Sequence, residues 1–312
     1  MRIALYNLEP KYKNLALEKL RKYYTDLGHE VEDYFPLDYN RYETIYCSSI
    51  FDYTKKDNLP PNILKGGSGF DLTTELPPEI DVVNPHLNFG FTSRGCIRKC
   101  KFCIVPKKEG YVRATGDLLD LWDGKAKDII VFDNNILALP EHFEMVCKQA
   151  RENKLRLDFN QGLDYRLLTP ELIEIMKSIS HVPYRFAFDS IKYATGIQEA
   201  ITLLADNGIN RSDWYVLVGF DSTIEEDLAR LNLLRELGQR AYVQIYSKPD
   251  IPRDRRLIAI SEWANQRHIY YGYTFEQFIN HPDKRSYRKF FVKGDLPMDS
   301  FERWQEEPAI KL

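Results

Sequence analysis

The chain has 312 residues, 44% of them hydrophobic, enough to bury the core of one large domain and a small one. Its 43 basic and 46 acidic residues give a net charge of -3, which excludes a global polyelectrolyte, so a nucleic-acid partner would have to be met by a local patch. No apolar run approaches the roughly 20 residues that cross a bilayer, since Ile129-Ile130-Val131-Phe132 stops at Asp133.

In chain order, residues 1–85 read as a small α/β layer, with strands expected at 2–5, 30–34 and 44–48 and a helix at 15–26. The glycine-rich Lys65-Gly66-Gly67-Ser68-Gly69-Phe70 and the linker Leu76-Pro77-Pro78-Glu79-Ile80-Asp81 mark its end. From there the pattern alternates short β-branched or aromatic runs with amphipathic stretches, as parallel strands joined by helical crossovers do. Six such units are expected, with strands at 87–94, 128–133, 155–160, 184–189, 214–219 and 241–247. Pro140-Glu141, Thr169-Pro170-Glu171-Leu172 and Ser222-Thr223-x-Glu225-Glu226 read as helix starts. Six units can form an open, partial (β/α)6 barrel of the TIM type, occupying residues 86–250, whose reactive groups collect at the carboxyl ends of the strands. Residues 251–312 hold a helix at 255–267, the aromatic run Tyr270-Tyr271-Gly272-Tyr273-Thr274-Phe275 and a basic-aromatic tail from Lys284 to Phe291, expected to close the barrel.

Three of the five cysteines stand as Cys96-x-x-x-Cys100-x-x-Cys103, just after the first of the six strands. A structural zinc site needs four protein ligands, and here the fourth is missing: Cys47 and Cys147 lie alone in a strand and a helix, and His86 sits ten residues upstream of Cys96. Three thiolates also hold an iron-sulfur cubane with one iron left open to an outside ligand. Clustered thiols with no even-numbered framework, and no secretory leader in Met1-Arg2-Ile3-Ala4-Leu5-Tyr6, make a cytoplasmic location the expectation.

The stretch Gly95-Cys96-Ile97-Arg98-Lys99-Cys100-Lys101-Phe102-Cys103-Ile104-Val105-Pro106 resembles the cluster loop of the radical S-adenosylmethionine (SAM) superfamily. The resemblance implies a single [4Fe-4S] cluster held by Cys96, Cys100 and Cys103, with Phe102 packing beside it and its backbone reaching the adenine of SAM. It further implies reductive cleavage of SAM, hydrogen abstraction from a substrate the sequence does not identify, and a flavodoxin- or ferredoxin-like electron donor. Polar groups at the strand ends are then the candidates for gripping SAM. Asp133 with Asn134 and Asn135 ends the second strand, where the family holds the methionine amino group; the other reading is a turn capped by these side chains. Gln161 and Arg166 follow the third strand as candidates for the substrate or the SAM carboxylate, although Arg166 can equally pair with Asp164. Asp189 and Ser190 end the fourth, facing the ribose or capping a helix. Val218 and Gly219 on the fifth resemble the adenine platform, with Gly219 alternatively a turn glycine, and Ser247 ends the sixth.

The first 85 residues resemble a truncated cobalamin-binding-like domain of Rossmann-like design, but the Asp-x-His-x-x-Gly signature of the lower cobalt ligand is absent, and the other reading of the glycines is a tight turn. A cobalamin-dependent methyltransferase is therefore the alternative within the class. Methylthiotransferases use three more cysteines in that domain, and auxiliary clusters need cysteines after Cys147; neither is present. Arg94, Arg98, Lys99, Lys101, Lys107 and Lys108 surround the loop, compensating an anionic cluster or, with the basic-aromatic tail, contacting nucleic acid. A non-enzymatic iron-sulfur nucleic-acid-binding module and a zinc-stabilised barrel are the readings outside catalysis.

Overall fold

The structure is a computed structural model and describes residues 1–246, 252, 254–284 and 286–291. The chain divides into two compact units, Met1–Ile129 and Ile130–Leu312, so the Pro-rich linker at 76–81 lies inside the first.

The first unit opens with β1 (Arg2–Asn7), α1 (Leu15–Asp26), β2 (Glu30–Asp33), β3 (Thr44–Ser48) and β4 (Leu64–Gly66), whose strands form one parallel sheet in the order β2-β1-β3-β4. That order, with the first strand inside, reverses between β1 and β3, as in a doubly wound sheet. Ile3 and Leu5 on β1 meet Leu17 and Leu20 of α1 and Ile80, with Tyr23, Tyr24, Val31 and Tyr46 around them. Asn14 fixes the start of α1 twice over: its Oδ1 accepts from Leu17 N at 3.2 Å, and its Nδ2 donates to Ser48 Oγ at 2.8 Å. The stretch read as marking the end of the layer contributes Lys65 and Gly66 to β4, because Tyr46 pairs with Leu64 and Ser48 with Gly66 whatever the intrinsic preference of Lys65-Gly66.

At the carboxyl end of β1 the buried Glu9 carboxylate accepts from Ser49 Oγ, Ile50 N, Phe51 N and Thr54 Oγ1 at 2.6 to 3.3 Å. Burial pushes its carboxyl up, but these donors, Thr54 first, outweigh it and hold the group below its ordinary range. The unit continues with α2 (Pro78–Asp81), β5 (Phe89–Gly90), β6 (Ser93–Arg94), α3 (Val105–Lys108) and β7 (Arg113–Ala114). The strand expected over 87–94 is thus two pieces, since β6 turns aside to pair antiparallel with β7 and Thr92 O accepts from Thr115 N and Gly116 N.

β8 (Asp128–Val131) crosses the division between the units. The second unit then alternates α4 (Pro140–Glu152), β9 (Arg156–Phe159), α5 (Pro170–Lys177), β10 (Ser180–His181), β11 (Arg185–Ala187), α6 (Ala194–Asp206), β12 (Asp213–Val218), α7 (Ile224–Glu236), β13 (Arg240–Ile245), α8 (Arg255–Asn265), α9 (Arg267–Gly272) and α10 (Phe275–Asn280). Strands β10-β9-β8 and β11-β12-β13 are neighbours in two sheets, with parallel pairing such as Phe186 to Trp214 and Val216 to Val243. Beyond β9 the chain reaches across, Leu163 N donating to Arg185 O at 2.7 Å, so the segment after β9 lies beside β11.

Strands therefore form at all six expected segments, the first in two pieces and β12 at its expected length one residue earlier, and the fold is α/β with parallel strands and helical crossovers. Alternate residues on them, Val131, Leu157, Phe159, Phe186, Trp214, Val216 and Val243, are buried with Phe143, Val146, Ile173, Met176, Leu204, Leu231 and Trp263 of the helices. The residues between them stay polar or exposed: Arg185 pairs with Asp158, Tyr215 Oη donates to Asn160 O at 2.9 Å, and Tyr242 keeps 45% of its surface. Burial alternates along β8, β9, β12 and β13 even where the sequence is apolar throughout, as in Trp214-Tyr215-Val216-Leu217-Val218. Among the described residues no helix is long and apolar enough to cross a membrane.

Candidate functional site

Cys96, Cys100 and Cys103 are held on a loop between β6 and α3, and the loop is fixed at both ends. Cys96 N donates to Gly110 O at 3.1 Å and Cys103 N to Cys100 O at 3.1 Å. Gly95 precedes the first thiol at φ +88°, and a Cβ there would lie 2.4 Å from Tyr111 O, so the backbone can pass this point only as glycine. All three thiols are partly exposed and none is in a disulfide, and Arg98 N stands 3.3 Å from Cys96 Sγ as a donor to sulfur. Cys47 and Cys147 are the opposite case: both are buried, and burial pushes their thiols up to about 11 and about 12. Among the described residues no group of three or more His, Cys, Asp or Glu is placed to hold a single metal ion. The donor set of the loop, three accessible soft ligands with an amide directed at sulfur, fits an iron-sulfur cluster. Phe102 is half-buried within the same loop.

At the carboxyl end of β8, Asp133 and Asn135 are buried while Asn134 is partly exposed. Asn135 Nδ2 donates to Asp164 Oδ2 at 3.3 Å, and Asp164 Oδ1 receives the Arg166 Nε at 2.6 Å and its backbone N at 3.3 Å. Of the two readings of Arg166, the structure adopts the pairing with Asp164, which ties the end of β8 to the segment after β9. Its guanidinium also lies over Tyr165 and Tyr193, at 5.6 and 6.0 Å from the ring centres. Gln161 is exposed.

After β11, Asp189 is partly buried beside β12. Burial pushes its carboxyl up, and the Arg230 guanidinium is the largest influence opposing this. Ser190 precedes a 3-10 turn, Ile191–Tyr193, without a side-chain cap bond. Val218 is fully buried. Gly219 has φ +76°, and a Cβ there would lie 2.4 Å from Leu257 Cδ1; its turn conformation and close packing explain the residue without a ligand. Ser247 lies outside the described residues.

Other expectations sort themselves by contact. Arg94 stands 3.6 Å from Glu109 and 4.8 Å from the Phe91 ring centre, so its charge is already met locally, whereas Lys99, Lys101 and Lys107 are exposed. In the tail, Lys284 pairs with Glu262, Tyr287 Oη donates to the same carboxylate at 2.8 Å, and Phe291 meets Phe275 at 5.4 Å; the described part of the tail packs on α8 and α10. Gly67 and Gly69 serve chain crossing: a Cβ at 67 would lie 2.3 Å from Ser49 O, and at 69 it would lie 2.4 Å from Phe51 O. These contacts account for both glycines without cobalamin.

Sequence reasoning passed over the buried pair Asp227 and Arg230, both at 0% exposure on α7. The signal was present, since positions 227, 230, 231 and 234 share a helix face whose other members are leucines. No protein family model matches the chain, and no curated protein matches it.

Proposed function

We propose that this chain is a radical SAM enzyme that binds one [4Fe-4S] cluster through Cys96, Cys100 and Cys103 and takes a hydrogen atom from its substrate. The observation that carries the reading is the cysteine loop: three accessible thiols on a braced turn after a strand, in a chain whose other two thiols are buried and inert. A bound cluster would supply one low-potential electron to the sulfonium of SAM, breaking its bond to C5' and yielding methionine and a carbon radical that takes the hydrogen.

The remaining residues bind and orient. Asp133 with Asn134 and Asn135 accepts from the methionine amino group. Gln161 serves the substrate or the SAM carboxylate, while Arg166, paired with Asp164, fixes the segment after β9 beside it. Asp189 and Ser190 meet the ribose hydroxyls, and the Gly219 backbone borders the adenine. The one-sided parallel strands support a partial barrel, in which the polar row with Asp158, Arg185, Tyr215 and Tyr242 lines the open interior.

Anaerobic reconstitution tests the assignment. The wild-type chain and Cys47→Ala are expected to take up ~4 iron and ~4 sulfide per chain. Cys96→Ala, Cys100→Ala and Cys103→Ala are expected to lose the cubane. Full uptake by all three loop variants would sink it.

A further inference from the structure

The strongest unassigned feature lies beneath the carboxyl ends of β11 and β12. Arg230 is fully buried, and its guanidinium donates to Phe188 O, to Leu217 O at 2.8 Å and to Asp227 Oδ1. Asp227, also fully buried, accepts from Gly219 N at 3.1 Å and from Ser222 Oγ at 2.6 Å. One side-chain pair thus holds the last carbonyl before Asp189, a carbonyl of β12 and the first amide after Val218.

Stability alone does not explain such a pair. Taking two charges out of water costs several kcal/mol each, and well-packed apolar residues of similar volume are often neutral or stabilising in their place. The face of α7 around them is already apolar, with Leu228, Leu231 and Leu234 buried, so leucine-like residues would suit 227 and 230. Among the described residues the Arg230 Nε has no hydrogen-bond partner, a further cost that packing would not incur. What an apolar pair could not do is fix three backbone groups from two strands in one geometry. A paired guanidinium and carboxylate can, because the rigid planar fork of Arg230 takes the two carbonyls and Asp227 takes the Gly219 amide.

We infer that Arg230 and Asp227 are positioning residues for SAM, setting the backbone that presents Asp189 to the ribose and Gly219 to the adenine. The inference rests on the proposed SAM reading of those strand ends. Asp227 and Arg230 touch no ligand themselves; they act through the 188–190 and 217–222 backbone.

The test uses the reconstituted full-length protein with Arg230→Lys, which keeps the charge and loses the fork, and with Ser222→Ala, which removes one bond to Asp227 and leaves the ion pair. Two readouts are compared: SAM affinity by equilibrium dialysis and hydrogen exchange across residues 130–246. In R230K the dissociation constant should rise by about tenfold or more, as losing well-made bonds to a buried charge does. Exchange should quicken by a similar factor at 188–190 and 217–222 while β9 and iron content stay unchanged, and S222A should shift both in the same direction by less. Unchanged affinity and local exchange in R230K would overturn the inference. So would a uniform rise in exchange through the whole unit with no effect of S222A, which marks a merely structural pair. If cluster-loaded wild type binds no SAM, the site reading fails and this assignment with it; a local exchange rise in R230K would then show that the fault lay in the ligand and not in the clamp.

Discussion

At the scale of residues, burial separates the five thiols into two chemistries. The thiolate is the reactive form, and a thiol raised to about 11 is ionised to only roughly one part in a thousand at pH 8. In metal-free, reduced protein, iodoacetamide is therefore expected to modify Cys96, Cys100 and Cys103 and to spare Cys47 and Cys147; peptide mass spectrometry reads the result, and early labelling of Cys47 would refute the division. Glu9 is the second such case. Its folded carboxyl sits below the ordinary value, so the stability it contributes is complete above the unfolded value of about 4.3 and is lost as pH falls through the folded value. The urea midpoint should thus drop between about pH 5 and pH 3. Glu9→Gln, which turns a donor toward donors, should lower the unfolding free energy at pH 7 by about 1–3 kcal/mol and flatten that dependence. An unchanged acid limb in the variant would contradict the role. The sequence displayed the cysteines plainly because their spacing is local. It did not display Glu9, whose four partners lie some forty residues away in the chain.

At the scale of elements, short-range chemistry was legible and long-range pairing was not. Thr223 and Glu226 form the reciprocal cap that the acids after Ser222-Thr223 foreshadow, and Thr169 caps α5. The helix expected over 255–267 stops at Asn265, because Gln266 turns extended and α9 begins anew, while Thr274 caps α10 within the aromatic run. β4 and β10 went unread, being three and two residues long and existing only through parallel neighbours. The cysteine loop makes a prediction at this scale. Gly95→Ala must place a Cβ against Tyr111 O at a positive φ, which displaces the loop from the 110–111 chain. We expect iron uptake to fall by at least half with a drop in melting temperature small beside that of a core truncation such as Trp214→Ala. Full uptake would mean that the brace at Gly95 does not shape the loop.

At the scale of the whole molecule, the alternation of strand and helix gave an α/β fold with parallel strands in their observed sequence. The one-sided burial of β8 and β12 was not legible, because Ile129-Ile130-Val131 and Trp214-Tyr215-Val216-Leu217-Val218 are apolar throughout. The fixed strand ends were less accessible. Asn135, Asp164 and Arg166 converge from two elements, and Arg230 reaches back more than forty residues to Phe188, so their roles emerge only once the strands are side by side. Function is carried by what those ends can hold. The most direct measurement is anaerobic: reconstitute the protein with iron and sulfide, reduce it with dithionite, add SAM and identify the products by mass spectrometry. The account predicts 5'-deoxyadenosine and methionine, absent in Cys96→Ala. A cluster-loaded protein that neither binds nor cleaves SAM, or a purified protein carrying tetrahedral zinc in place of iron, would contradict it.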